Sequence, residues 1–556
     1  VKRFHLFFAF CLLLFSSCVP ADEVWGGSTP LGLPGLPTLI PTLEPPTATP
    51  ATAPTATATP EPQQPSLYLS PAVPPALRAF AQEWGYPLAA TQMEAAIHLD
   101  VQTGTIGGGL PSTTWIYALV APFFTVTDEV AIADIRNCWA GEPSGPFAGL
   151  PLWMDGSTLT AFTATWGAPV AGSVQVADAD ELVDKAWNES PAWGIIPFEA
   201  LEPRWKVLEV DGQSPIHKDF DPATYPLKVT FSLETSLSSE NFSLPASNRD
   251  PEKMTTLVMT GVTALVRATA YAMEKNGYLW PAEDIRDWLV TTDLTHISNE
   301  VPFAQGCPYP DPNYGMLRFC SNELYMNLLD YVGTDIVELT GNHFQDWGSE
   351  ATLFTLDLYN QAGWRYYGGG VDLEDARKAI TLEHNGNRLA FIGCNSAGPA
   401  YAWATESQPG AAQCDFEWMQ AEVARLEDEG YLVIVTFQHD EYYSTAIPNA
   451  QKEDFRPMAE AGAVVVNGSQ SHVPMGMEFY SGAFIHYGLG NLFFDQMAEL
   501  STRREFIDRH VFYDGSYITT ELLTAMLEGY ARPRPMTAGE RVEMLNLMFE
   551  NSIWKP

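Results

Sequence analysis

Apolar residues in the second half of the chain fall into short continuous runs, each closed by a polar cluster. The runs at Thr255–Val262, Leu294–Ser298, Thr334–Thr340, Arg388–Cys394, Tyr431–Phe437, Ala463–Val466 and Ala483–Tyr487 predict buried strands. Between them the spacing lengthens to that of amphipathic helices, at Leu265–Lys275, Ala282–Leu289, Ser321–Val332, Glu350–Ala362, Phe416–Glu429 and Ala450–Ala461. This alternation predicts βα units, right-handed crossovers and parallel strands. The polar clusters follow the strands: Asn299-Glu300, Asn342-His343, His439-Asp440-Glu441, Gly468-Ser469-Gln470-Ser471-His472 and Gly490-Asn491. Parallel strands carry their ends to one side of a sheet, where α/β folds place their sites. Residues as far apart as Asn299 and His472 are therefore expected at one edge, with the imidazoles of His343 and His472 close enough to share an ion.

The first half reads differently. Residues 66–248 alternate apolar runs (Trp115–Phe124, Trp193–Pro197, Trp205–Val210) with helical patterns (Asp128–Trp139, Asp178–Trp187), which predicts a mostly parallel α/β domain. Residues 253–556 form the second domain. Ahead of both, residues 19–65 collapse to Pro, Thr and Ala, a composition that is stiff and extended and builds no core. It reads as a stalk. Residues 1–18 pass from Lys2 and Arg3 through the apolar run Leu6–Phe15 to Ser16-Ser17-Cys18, the pattern of an export signal. The small residues before Cys18 predict a lipoprotein signal, with Cys18 lipidated and the protein anchored on the outer face of the cell membrane.

The charge changes the picture of partners. There are 29 Lys plus Arg against 68 Asp plus Glu, a formal net charge of −39. Such a surface repels nucleic acid, which is excluded as a partner. Cys307 and Cys320 bracket one loop, and Cys394 and Cys414 a second; in an exported chain these are expected disulfides. Cys138 is left over and expected buried. No CxxC pair points to a structural zinc site.

The stretch TDIVELTGNHFQDWG, from Thr334 to Gly348, carries the strongest chemistry: a strand breaking into Gly341-Asn342-His343, then Asp346. Imidazole with short oxygen-bearing side chains suits a divalent metal or a phosphate. The plain alternative is that Asn342 and Asp346 form a turn and His343 bonds backbone. His343 and His472 are the leading site residues, followed by Asn342, Asn299 and Glu300 as ligands. Glu441 is a candidate general base or ligand, and His439 a substitute ligand. His98, His217, His384, His486 and His510 lack comparable context. No GxSxG elbow marks a serine nucleophile.

The ordered segments Ser298-Asn299-Glu300, Leu339–Gly348, Gly468–Val473 and Tyr487–Gln496 resemble the CapA-type capsule-synthesis family, associated with poly-γ-glutamate synthesis. That resemblance implies a four-layer α/β/β/α sandwich like the calcineurin-like metallophosphoesterases. It also implies a divalent metal (Mn, Mg or Zn) and an anionic envelope polymer or its precursors as partner. Three departures stand out. Val262 follows Gly261 where the family has Asp, Gln470 replaces the first His of its Gly-x-His-x-His, and His439 is displaced within Phe437–Tyr442. A missing carboxylate and a missing imidazole predict one weakly held ion rather than a tight pair. The upstream half resembles type 2 periplasmic solute-binding proteins in the order of its pieces, with Asp155-Gly156-Ser157-Thr158 at a helix start and a late Tyr225-Pro226-Leu227. Ser157 and Thr158 there are either anion donors or ordinary capping residues. Two function classes follow: metal-assisted hydrolysis or transfer on an envelope polymer, favoured by the retained Asn-His and Gly-Asn segments; or non-catalytic binding of a polymer or solute, favoured by Val262 and Gln470.

Overall fold

In the computed structural model, residues 64–104, 111–237, 242–313 and 315–554 are described. The predicted export signal with Cys18, and the stalk up to residue 63, lie outside them. Residues from Gln64 onward form one compact unit. Among the described residues no helix is long and apolar enough to cross a membrane.

Two sheets face each other in the second half. The first runs in the order Arg365–Tyr367, Ile336–Glu338, Leu294–Asn299, Met254–Thr260, Arg504–Tyr513, Ser516–Glu528, Arg532–Pro535; the first four are parallel and the last three antiparallel. The second runs Ile380–His384, Asn387–Asn395, Leu432–Gln438, Ala463–Ser469, Ala483–His486, Met477–Tyr480, with a parallel centre. Side chains alternate between faces along each strand. Leu257, Met259, Leu294 and Ile336 of the first sheet thus meet Phe391, Ile434, Val465 and Phe484 of the second in one buried cluster. The intervening residues pack outward. Ile297 and Val337 meet Met273, Leu328 and Leu356 on helices of one outer layer, and Val433 and Val435 meet Val423 and Phe455 on helices of the other. This is the α/β/β/α sandwich.

The upstream half is a nine-stranded sheet, and its topology corrects the expectation of a mostly parallel domain. Strand Ser112–Pro122 is antiparallel to Trp193–Pro197, Trp205–Val210 and Lys228–Thr235, while the parallel strand pairs are short and none includes this central strand. Ile97–Val101 and Lys228–Thr235 join by antiparallel pairing that needs no helical crossover. At the helix Gly156–Trp166, Ser157 and Thr158 each donate through backbone N–H and hydroxyl to the Asp155 carboxylate. Both residues are therefore part of an N-cap rather than free donors.

The two halves are joined by side chains. Val511 and Ile518 of the sandwich sit in the upstream core, and Thr519 Oγ1 donates to Trp205 O at 2.9 Å. Phe123 packs on Phe479, Phe484 and Trp554. The disulfides Cys307–Cys320 and Cys394–Cys414 are formed, and Cys138 is a buried free thiol.

Candidate functional site

Four strand ends, two from each sheet, deliver polar side chains to one point. Gln438 ends Leu432–Gln438, Gln470 follows Ala463–Ser469, Glu300 follows Leu294–Asn299, and Asn342 follows Ile336–Glu338. The Gln438 amide nitrogen donates to Glu300 Oε1 at 3.0 Å, to Asn342 Oδ1 at 3.3 Å and, at short range, to Gln470 Oε1. Close approach of the backbones makes this meeting possible. A Cβ on Gly341 would lie 2.6 Å from the Glu300 Cα, and one on Gly261 only 2.2 Å from Gly490 O, so no larger residue fits at either position.

The two leading imidazoles flank this cluster. His343 Nδ1 bonds Asp346 Oδ2 at 2.6 Å, and Asp346 is itself fixed by Phe319 N and the Tyr401 hydroxyl, each at 2.9 Å. Burial disfavours the charged ring and Arg267 repels it. The Asp346 bond and the Glu300 charge outweigh both and hold His343 above the ordinary imidazole value. His472 Nδ1 donates to Asn491 Oδ1 at 2.8 Å, and its Nε2 faces Glu441 Oε1 at 3.5 Å. Glu441 also accepts from the Tyr443 hydroxyl and is half exposed.

Three expectations fail. Asn299 does not reach the cluster: its amide donates to Val301 O and to the Tyr359 hydroxyl in the helix layer. The cause is the two-residue period of the strand, which sends His296 and Ser298 between the sheets and Asn299 to the other face. His439 is held by Asp454 Oδ2 at 2.8 Å, with Tyr442 and Phe455 against its ring, and serves the helix Asn449–Glu460 rather than the cluster. The expected sharing of one ion by His343 and His472 with Glu300 also fails, since their ligand atoms do not gather within 4.8 Å of one another. Among the described residues, the only three His, Cys, Asp or Glu side chains with ligand atoms within 4.8 Å of one another lie elsewhere, at the seam between the halves. Val262, where the resemblance implies a carboxylate, is a buried strand residue bridged to Asn491.

Sequence reasoning passed over Arg267. Its guanidinium lies 5.1 Å from the rings of both Phe319 and Phe494 and forms a two-point pair with Asp495. Phe319 in turn packs on His343 and Phe494 on His472, with ring centroids 4.7 and 5.1 Å apart. A row of His, Phe, Arg, Phe and His therefore lines the edge. The usable signal was a cation at a helix start just past a strand end, in a chain with few cations. Arg267 also holds φ at 44°, a strained value for an arginine.

Beneath the edge a buried polar network descends between the sheets. Ser298 and Ser469 hydroxyls lie 3.3 Å apart, and Glu338 accepts from Thr340 at short range. Thr436 donates to the Tyr367 hydroxyl at 3.1 Å, which meets His296 Nε2 at 2.8 Å. Burial pushes Glu338 up to about 7, although bonds from Thr340, Thr436 and Ser298 oppose it. Burial also pushes His296 down to about 3.

Two facing sheets with polar residues gathered at the carboxyl ends of their parallel strands define an α/β/β/α sandwich, preceded by a smaller α/β domain. Within it, residues 256–496 match the family described as bacterial capsule synthesis protein PGA_cap. The capsule biosynthesis protein CapA of Bacillus anthracis is 24% identical over 302 residues, covering 53% of this chain and 72% of that one. The PGA biosynthesis protein CapA of Bacillus subtilis is 28% identical over 178 residues, covering 32% of this chain and 47% of that one. Among solved structures, a 5'-nucleotidase precursor from Thermus thermophilus aligns with a TM-score of 0.31 and 15% identity, over 53% of this chain and 58% of that one.

Proposed function

We propose that this protein is an exported accessory of capsule or exopolymer synthesis that handles an anionic envelope polymer of the poly-γ-glutamate kind, or its precursors, at the strand-end edge. The similarity to capsule and PGA biosynthesis proteins supports the polymer. The two disulfides fit an oxidising compartment, and lipidation of Cys18 would hold the protein at the outer face of the membrane.

The observation that carries the site is the convergence on Gln438. A carboxamide nitrogen has two hydrogens, yet three oxygen acceptors surround it. Turning that amide would gather four oxygens, from Glu300, Asn342, Gln438 and Gln470, a donor set for one hard cation such as Mg²⁺ or Mn²⁺ rather than zinc. The same residues do not fit a two-ion centre, because Val262 and Gln470 replace a carboxylate and an imidazole. A cation held there would supply charge stabilisation at an oxygen of the bound polymer. The chain's own contribution is clearer. Asp346 strengthens the hold of His343 on a proton, and in the protonated ring Nε2–H would donate to a carboxylate or to a leaving group. The net charge of −39 repels an anionic polymer, and a protonated His343 and a bound cation would offset that repulsion locally.

A second reading, a binding protein without catalysis, is favoured by the same two substitutions. The upstream domain would then add a solute-binding-like module. Incubating the full chain with poly-γ-glutamate, with and without Mn²⁺, tests both. Polymer cleavage or transfer that is lost in His343→Ala supports the enzyme. Cation-dependent binding without change in polymer length supports the binding protein. No binding and no turnover would overturn the assignment of the edge. Cys18→Ala should leave the protein unprocessed or free of membranes; a processed, membrane-bound variant would remove the anchor from the proposal.

A further inference from the structure

The seam between the two halves holds a second cluster that the capsule-synthesis reading does not use. Glu209 lies on the upstream strand Trp205–Val210, His217 on the turn that follows it, and Glu521 on the sandwich strand Ser516–Glu528. One ligand atom from each lies within 4.8 Å of the other two. Three ligands at about 2.0–2.2 Å from one ion stand somewhat closer than this, so the three side chains would draw together on binding. The three residues line a cavity of about 210 Å³.

A protein-only seam would have satisfied these groups better. His217 Nε2 stands 3.3 and 3.4 Å from the two Glu521 oxygens, beyond an ordinary N–H···O bond. Among the described residues the Glu209 carboxylate makes no hydrogen bond or ion pair. The Ser214 hydroxyl is 2% exposed, has no partner and lines the same cavity. The neighbouring cations are already engaged. Asp128 binds Lys206 and Arg541, and Arg509 binds Glu521 Oε2, which leaves Oε1 with only the long contact to His217.

We propose that Glu209, His217 and Glu521 hold a divalent ion of the zinc class, with Ser214 or a water in the fourth position, and that this ion ties the upstream domain to the sandwich. One imidazole with two carboxylates is a borderline nitrogen and oxygen set, which suits Zn²⁺ better than Ca²⁺ or Mg²⁺. Because the ligands come from both halves, the ion binds only when the halves are docked, and so stabilises the docked state.

The test uses the full chain, stripped with chelator and titrated with Zn²⁺ alone. Bound zinc and melting temperature are measured in the parent, in Glu209→Gln and in His217→Gln. A His343→Ala, His472→Ala double variant separates this site from the edge. The parent should hold one zinc more than either seam variant and melt several degrees higher with zinc, and the double variant should keep both properties. Glu209→Gln preserves shape and breaks no existing bond, so it should melt like the zinc-free parent. Zinc binding or zinc-dependent stabilisation that is equal in parent and seam variants would overturn the proposal. So would loss of that zinc in the double variant alone.

Discussion

Replacing Glu338 by Gln should make the protein less sensitive to alkaline pH. Glu338 is 3% exposed between the sheets, and burial raises it from 4.5 to about 7. A carboxyl raised in the folded state is stabilising below its unfolded value, and that contribution is lost as pH rises through the folded value. The contribution is therefore complete below about 4.5 and gone above about 7. At about 1.36 kcal/mol per tenfold change in proton affinity, the gap corresponds to about 3 kcal/mol. Gln has the same shape, still accepts from Thr340 and carries no proton to lose. Glu338→Gln should match the parent to within about 1 kcal/mol at pH 4.5 and exceed it by up to about 3 kcal/mol at pH 8. Urea unfolding of both proteins at a series of pH values measures this. Comparison by difference matters, because Glu199 is also raised to about 7 by burial and contributes its own slope. A variant no more stable than the parent at pH 8 would refute the reasoning, as would an offset that is the same at every pH.

Three other outcomes are expected from the site and its surroundings. Asp346→Asn should lower the titration midpoint of His343, read by NMR, because burial and Arg267 then act with less opposition; an unchanged midpoint would mean that Asp346 does not hold the charge. Restoring the two missing ligands as Val262→Asp with Gln470→His should raise metal occupancy at the edge toward two, and a double variant that binds no more metal than the parent would mark the edge as a polymer-binding surface. Reduction should destabilise the sandwich by about 3 kcal/mol for each disulfide in the chain-entropy model, since the bridges span 13 and 20 residues; equal melting with and without reductant would contradict this.

Much of the sandwich was legible in the sequence because buried parallel strands read as continuous apolar runs. The strand expected at Arg388–Cys394 is Asn387–Asn395, and the helix expected at Glu350–Ala362 is Ser349–Ala362. The antiparallel strands carry no such signal. Arg504–Tyr513 and Ser516–Glu528 mix charged and polar with apolar residues, and so form no continuous apolar run. Their turn was nonetheless readable: Asp514-Gly515 takes φ of 50° and 79°, the two-residue turn that Asp-Gly favours. At the edge, Glu300 and Asn342 could be placed by strand ends alone. Gln438 could not, because nothing in an apolar run ending in Gln says that its amide meets three other chain segments. Asn299 was misplaced because a residue one step from a strand end lies on the opposite face. Glu338 was hidden as a single acid in an otherwise apolar strand, and only its inter-sheet position explains its altered proton affinity.

The hairpin Arg504–Glu528 also sets an order of events in the life of the chain. Its two strands extend the first sandwich sheet beside Met254–Thr260, and Val511 and Ile518 complete the upstream core. The core beneath the strand Ser112–Pro122 therefore receives part of its apolar lining from this hairpin, far downstream. During synthesis the upstream half would emerge first and gain these two contacts only after the hairpin has followed it. A substitution in this hairpin would then appear as a folding defect of the opposite end of the protein.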